Sequence, residues 1–197
     1  MLETRYRAAR ALPLGALARA ATGGPNVTVR PAGAETRFSL RVRLPGQQAA
    51  PRVAGLALDG PINTVVTEGE TWAARLGPDE WLIGGPEADA DLLQGRIAQA
   101  LAGLPHALVE VSHRNVGIDV SGPRAAVALN AGCPLDLSEA AFPAGRATRT
   151  LLGKAEIVLI RLTAESRYRV ECWRSFSTYV HGFLNEAAFG VEGPAEH

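Results

Sequence analysis

Three short stretches of the 197-residue chain hold residue types from which a reactive or binding centre could be built. Ser112-His113-Arg114 places a hydroxyl beside an imidazole and a guanidinium. Nucleophilic catalysis needs such groups to converge through the fold, whereas neighbours on an extended chain point to opposite faces. Ser112 therefore reads as a turn residue, and Arg114 as an ion-pair or partner contact. Asp136, within Cys133-Pro134-Leu135-Asp136-Leu137-Ser138, is a loop carboxylate whose ordinary role is to accept nearby amide hydrogens. Arg174-Ser175-Phe176 stands at a helix start, where free amides and the guanidinium could hold an anion, although Ser175 is already accounted for as a cap.

Metal and nucleotide chemistry find little to work with. His106, His113, His181 and His197 are scattered, and neither His113 nor His181 has a second ligand three or four residues on. Gly84-Gly85 lies between a strand and a helix without the full glycine fingerprint of a dinucleotide site, and there is no phosphate-binding loop. Cys133 and Cys172 form no CxxC pair and read as small buried hydrophobes in a reducing compartment.

A composition of 47% hydrophobic residues is enough to bury a full core, which sets the expectation of a single domain, 1–197. The formal net charge of zero supplies no global field for nucleic acid or an anionic membrane, and no stretch is long enough to span a bilayer. Pro13 and Gly15 interrupt the apolar run Ala11 to Ala18 and Arg19 ends it, so a leader is not expected and the chain reads as cytoplasmic. Charge is uneven along the chain. Arg5, Arg7, Arg10, Arg19, Arg30, Arg37, Arg41 and Arg43 crowd the beginning, and an acidic stretch from Asp59 to Asp91 follows. The two regions neutralise each other across a folded surface, or else an Arg-rich segment, 1–35, lies on an acidic partner.

The elements that must position these residues follow from periodicity. Phe38, Leu40, Val42 and Leu44 alternate with Arg37, Ser39, Arg41 and Arg43, predicting a strand over 36–44 with one buried face, followed by a loop over 45–51. A hairpin is predicted from Trp72–Leu76 and Trp81–Gly84 around Gly77-Pro78-Asp79-Glu80. A helix opens near Asp89, buries Leu92, Leu93, Ile97, Leu101 and Leu104, and ends at Gly103 and Pro105. Strands are expected at 107–111 and 116–120, a short helix after Ser121-Gly122-Pro123, then strands at 149–152, 156–162 and 168–173. Ser175 caps a last helix whose face is Phe176, Val180, Phe183, Leu184 and Ala187, with Gly190 as its stop.

An offset of 87 residues lays hairpin on hairpin and helix on helix without a gap. Trp81 falls on Tyr168, Ile83 on Val170, Gly95 on Gly182 and Gly103 on Gly190. The fold class expected is α+β, made of duplicated strand-strand-helix units in two similar halves, 36–105 and 106–191. The shared helical glycines are expected to mark close packing, because glycine inside a helix costs about 1 kcal/mol against alanine.

Several segments together resemble the gamma subunit family of heterotetrameric bacterial sarcosine oxidases. These are Leu76-Gly77-Pro78-Asp79-Glu80-Trp81-Leu82, Val111-Ser112-His113-Arg114, Ser121-Gly122-Pro123-Arg124-Ala125, Leu129-Asn130-Ala131-Gly132-Cys133-Pro134-Leu135-Asp136-Leu137 and Arg174-Ser175-Phe176. The resemblance implies a fold like that of the folate-binding aminomethyltransferases of glycine cleavage. It implies a complex that oxidatively demethylates sarcosine to glycine, with release of hydrogen peroxide and transfer of the one-carbon unit to tetrahydrofolate. Alpha, beta and delta subunits are the implied partners. FAD, FMN, NAD, zinc and tetrahydrofolate would be held on those subunits and none on this chain. The catalytic, cofactor and metal residues expected here are accordingly none.

The function that follows is a non-catalytic structural subunit. Arg114, Trp81, Trp173, Arg174 and Phe176 are the candidate partner-interface residues, since large rigid side chains and arginines dominate interface energetics. Core packing is the competing role for the aromatics. A freestanding folate-binding aminomethyltransferase-like protein is the alternative function, though no carboxylate among Asp59, Asp79 and Glu80 is assignable to the transfer reaction. An adaptor for an unrelated assembly is a third.

Overall fold

The computed structural model describes residues 13–15, 22–44 and 52–192. The predicted loop at 45–51 and most of the Arg-rich beginning lie outside these residues. In chain order come β1 (Thr22–Gly23), β2 (Thr28–Pro31), β3 (Glu35–Val42), β4 (Arg52–Val53), β5 (Leu56–Ala57), β6 (Thr64–Glu68), β7 (Thr71–Gly77) and β8 (Glu80–Pro86). A 3-10 turn (Glu87–Asp89) leads into α1 (Ala90–Ala100), followed by β9 (His106–Glu110), β10 (Asn115–Ser121) and α2 (Ala125–Asn130). The chain then forms β11 (Arg146–Leu152), β12 (Ala155–Arg161), β13 (Arg167–Trp173), a second 3-10 turn (Arg174–Phe176) and α3 (Ser177–Glu192).

Among the described residues eleven strands make one antiparallel sheet in the order β1-β2-β10-β13-β12-β11-β6-β7-β8-β3-β9, and β4 and β5 form a separate ribbon. The sheet cannot lie flat. β13 and β3 are six places apart, about 29 Å at the usual strand spacing, yet Arg37 of β3 bonds Glu171 of β13 at 2.7 Å. The sheet therefore curls until its two parts face each other.

Strand alternation explains the layers. On β13, Tyr168, Val170 and Cys172 join one core with α2 and α3, while Arg169 and Glu171 point the other way, into the space between the two parts. On β3 and β8, Phe38, Leu40, Trp81 and Ile83 join a second core with Leu93, Ile97 and Leu101 of the α1 region. A third, smaller cluster contains Trp72, Ala74, Leu82, Val111, Ala147 and Ile160. The sequence expectation of one buried face on the 36–44 strand is thereby corrected: Thr36 and Arg37, on opposite faces, are both buried.

β9 and β10 do not pair with each other. β9 pairs with β3, and β10 pairs with β13 and β2, so each crosses to a different part of the sheet. β8, its 3-10 turn and α1 begin at 80, 87 and 90; β13, its turn and α3 begin at 167, 174 and 177, each 87 residues later.

Several local expectations are corrected. Leu92 is exposed, because α1 buries Ala90, Leu93 and Ile97 instead. Ser175 is not a cap: the turn at Arg174–Phe176 has no side-chain capping bond, and Ser177 donates to the Arg174 carbonyl oxygen at 2.8 Å. α3 runs through Gly190 to Glu192. Gly95 and Gly182 do not mark close packing, since a Cβ built on either meets nothing within 4 Å. β1, β2, β4, β5 and β6 had no sequence expectation, being too short or too irregular for a period to show.

Candidate functional site

Two neighbouring features hold most of the charged groups that the fold concentrates: a buried ion network between the facing parts of the sheet and an open cleft beside it. In the network, Glu171 accepts from Arg37 Nε at 2.7 Å and Nη2 at 3.1 Å, and from Arg169 Nε at 2.7 Å. Arg169 donates through Nη1 to Glu35 at 2.9 Å, and its Nη2 bonds the other Glu35 oxygen. The Arg169 guanidinium also lies 5.7 Å from the Trp72 ring centre.

Burial alone would drive the Glu171 carboxyl upward, but Arg37 and Arg169 outweigh it and hold it below the ordinary carboxylate value. For Arg169 burial opposes the charge, and Glu171, Glu35 and Asp119 together raise its value above normal. Both groups are thus locked in their ionised forms. A general acid or base must exchange a proton near working pH, which these groups are held from doing.

The cleft, of about 280 Å³, is lined by Arg41, Glu80, Trp81, Arg114, Asn115, Arg149, Glu156, Glu171 and Trp173 among others. Glu80 is clamped by Arg149 and by Arg41, the latter at 3.0 Å. The hydrogen bond from Arg149, with the charges of Arg149 and Arg41, lowers the Glu80 carboxyl below its usual range despite partial burial. Asn115 opens β10 in register with Trp173, the last residue of β13. The Arg174 amide donates to the Arg114 carbonyl oxygen at 2.6 Å, pinning together two turns that are 60 residues apart in sequence.

Four of the five candidate interface residues are therefore neighbours. Arg114, Trp173, Arg174 and Phe176 are exposed, with Trp173 at 47% and Phe176 at 39%. Their two rings are 6.4 Å apart. Trp81 is different. It is 1% exposed, packs in the core with Phe38 and Ile83, and has the Arg75 guanidinium 5.0 Å from its ring centre. Its indole is enclosed in the core, and only its edge reaches the cleft.

The other sequence candidates take ordinary places. Ser112 is buried and accepts the Arg37 amide hydrogen at 2.8 Å, which ties the 111–114 turn to β3. His113 is exposed. Asp136 accepts the Ser138 amide hydrogen at 2.8 Å, and that bond lowers its carboxyl value. His181 is buried on α3, with Nδ1 against the Asn185 amide at 3.1 Å, and burial lowers its value. Both cysteines are free and buried. Among the described residues there is no group of three or more His, Cys, Asp or Glu side chains suited to a metal ion, and no helix long and apolar enough to cross a membrane.

The sequence reading missed Asn115, Arg149 and Glu156 as cleft residues and Glu35, Arg169 and Glu171 as network residues. A charged residue at every second place in Arg167–Trp173 was a signal for Arg169 and Glu171; nothing local pointed to the others.

The sarcosine oxidase, gamma subunit family matches residues 45–190. The chain belongs to this family. Among curated gamma subunits, the sarcosine oxidase subunit gamma of Corynebacterium sp. (strain U-96) is 31% identical over 193 residues, 94% of this chain and 91% of the relative. The sarcosine oxidase subunit gamma of an Arthrobacter species is 32% identical over 157 residues, 78% of this chain and 75% of the relative. In the solved heterotetrameric sarcosine oxidase from Corynebacterium sp. U-96, in complex with pyrrole 2-carboxylate, one chain superposes with a TM-score of 0.82 at 27% identity, covering 95% of this chain and 99% of that one. The glycine cleavage system aminomethyltransferase T from Bartonella henselae superposes with a TM-score of 0.60 at 11% identity, over 88% of this chain and 56% of that one. That last likeness is one of fold alone, an α+β arrangement dominated by a curled antiparallel sheet.

Proposed function

We propose that the chain is a non-catalytic subunit of a heterotetrameric sarcosine oxidase, in the cytoplasm, beside alpha, beta and delta subunits that hold FAD, FMN, NAD, zinc and tetrahydrofolate. The observation that carries this reading is the near full-length match to a chain of the heterotetrameric Corynebacterium enzyme. The charged groups of this chain support it in turn, because its most buried carboxylate is fixed in one ionisation state by two arginines. The exposed group Arg114, Trp173, Arg174 and Phe176 forms the contact surface in this reading.

A duplicated architecture accompanies the proposal. The equal 87-residue spacing of β8–turn–α1 and β13–turn–α3 supports it, as does a strand order that, apart from the additional β1, reads alike from both ends. Under this duplication β9, from the half 106–191, pairs with β3 of the half 36–105, and β2, which precedes both halves, takes the matching place beside β10. The freestanding folate-binding transferase has the aminomethyltransferase likeness in its favour, and that bears on fold only.

Purified alone, the chain is expected to be colourless, to leave sarcosine unconsumed and to give no specific complex when titrated with tetrahydrofolate. Saturable tetrahydrofolate binding by the isolated chain would favour the transferase reading, and flavin retained by it would overturn the proposed division of labour.

A further inference from the structure

The cleft beside the ion network has an uneven supply of partners. Glu80 is matched by Arg41 and Arg149, and Glu171 by Arg37 and Arg169. Arg114 is not matched, for Glu156, the remaining carboxylate of the lining, lies by Arg149 and forms no ion pair with Arg114. Its Nε donates to Asn115 Oδ1 at 3.3 Å, and its two terminal nitrogens have no partner among the described residues.

The same bond fixes the orientation of Asn115. Because the oxygen of its amide faces Arg114, the Nδ2 group is the end left over, and it too has no partner among the described residues although Asn115 is only 9% exposed. Arg114 and Asn115 thus present a guanidinium fork and an amide, all donors, to one cleft whose rim is the half-exposed Trp173. A set of donors around one positive charge is complementary to a planar anion with two acceptor oxygens, and an aromatic wall beside it excludes water and strengthens the contact.

We propose that this cleft receives an aspartate or glutamate side chain of a neighbouring subunit, held by Arg114 and Asn115 and covered by Trp173. The proposal rests on the subunit reading above and adds the chemistry of the partner. Phe176, in ring contact with Trp173, and Arg174, whose amide is bonded to the Arg114 carbonyl, extend the same surface outward. A carboxylate entering here meets a guanidinium already oriented by Asn115 and becomes buried with it when the subunits close, so the contact acts chiefly by slowing dissociation.

The test uses the four subunits produced together, with this chain carrying Arg114→Glu, Arg114→Lys or no change, and reads the dissociation constant of this chain from the rest of the complex at low and high salt. Arg114→Glu is expected to weaken retention about 30-fold or more at low salt. Arg114→Lys, which keeps the charge and loses the fork, is expected to fall between it and the unchanged chain. Thermal midpoints of the free chains should agree, because Arg114 is exposed and its side chain supports nothing in the core. Equal retention of Arg114→Glu and the unchanged chain would overturn the carboxylate contact while leaving the subunit reading intact. An unchanged chain that never associates would overturn the subunit reading itself.

Discussion

Arg37 and Glu171 meet in a two-pronged ion pair, Nε to Oε2 at 2.7 Å and Nη2 to Oε1 at 3.1 Å, across the interior of a sheet that has curled back on itself. The pair joins the third strand to the thirteenth, and the backbone of Arg37 is held in turn by Ser112 and Val111 of the turn that carries Arg114. The interior of the molecule and the exposed turn that carries Arg114 are therefore mechanically continuous. Whatever loosens the pair should also loosen the turn at 111–114.

Glu171→Gln removes one charge that two buried guanidinium groups share. Losing one partner of a buried pair leaves the remaining charge uncompensated, at a cost of about 3–5 kcal/mol. The denaturant midpoint of Glu171→Gln should fall accordingly. A midpoint equal to that of the unchanged chain would show that Glu35 alone satisfies both arginines.

The pH dependence has a definite sign. The folded carboxyls of Glu171 and Glu80 are held below their ordinary value of 4.5, so the stability they contribute is fully present above that value. It is lost as pH falls through the lower folded values, because the unfolded chain takes up protons first. Chemical denaturation from pH 7 down to pH 3 should show a plateau and then a decline below about 4.5, with a shallower decline in Glu171→Gln.

Gly95 in α1 occupies open space, so a methyl group there meets nothing and removes the entropic cost of glycine in a helix. Gly95→Ala is expected to raise stability by about 1 kcal/mol. Gly117→Ala is the opposite case, for its Cβ would sit 2.2 Å from Arg169 Nη2 and 2.8 Å from Glu171 Oε1. These atoms are pinned by their ion pairs, and a loss of about 1–3 kcal/mol is expected. Paired thermal melts of the two variants check both signs.

Cys172 is buried, and burial together with the Glu171 charge pushes its thiol up to about 12. Thiolate is the reactive form, so a colorimetric thiol reagent at pH 8 should leave Cys172 untouched in the native protein and titrate it on unfolding. Rapid native labelling of Cys172 would contradict the packing of β13 against α2 and α3.

Much of the framework was legible in the chain because it obeys local rules. The hairpin around Gly77-Pro78-Asp79-Glu80, the α1 region and the last helix each follow from periodicity and turn chemistry over a dozen residues or so. Trp173, Arg174 and Phe176 are neighbours in sequence, but nothing local brings Arg114 to them: a backbone bond across 60 residues does. Arg37 shows what local rules miss. Its place opposite Phe38 and Leu40 reads as solvent face, and only the curl of the sheet, a long-range event, buries it on Glu171. Trp81 and Trp173 make the same point: both end up near the cleft, but alternation on β8 turns Trp81 into the core, while Trp173 closes its strand at the surface.

In the proposed complex this chain contributes a surface and not a reaction. Native mass spectrometry of the four subunits produced together tests it most directly. One species that contains this chain with the three others and oxidises sarcosine is expected. A sarcosine-oxidising assembly of the other three subunits, with this chain present only as a separate species, would contradict it.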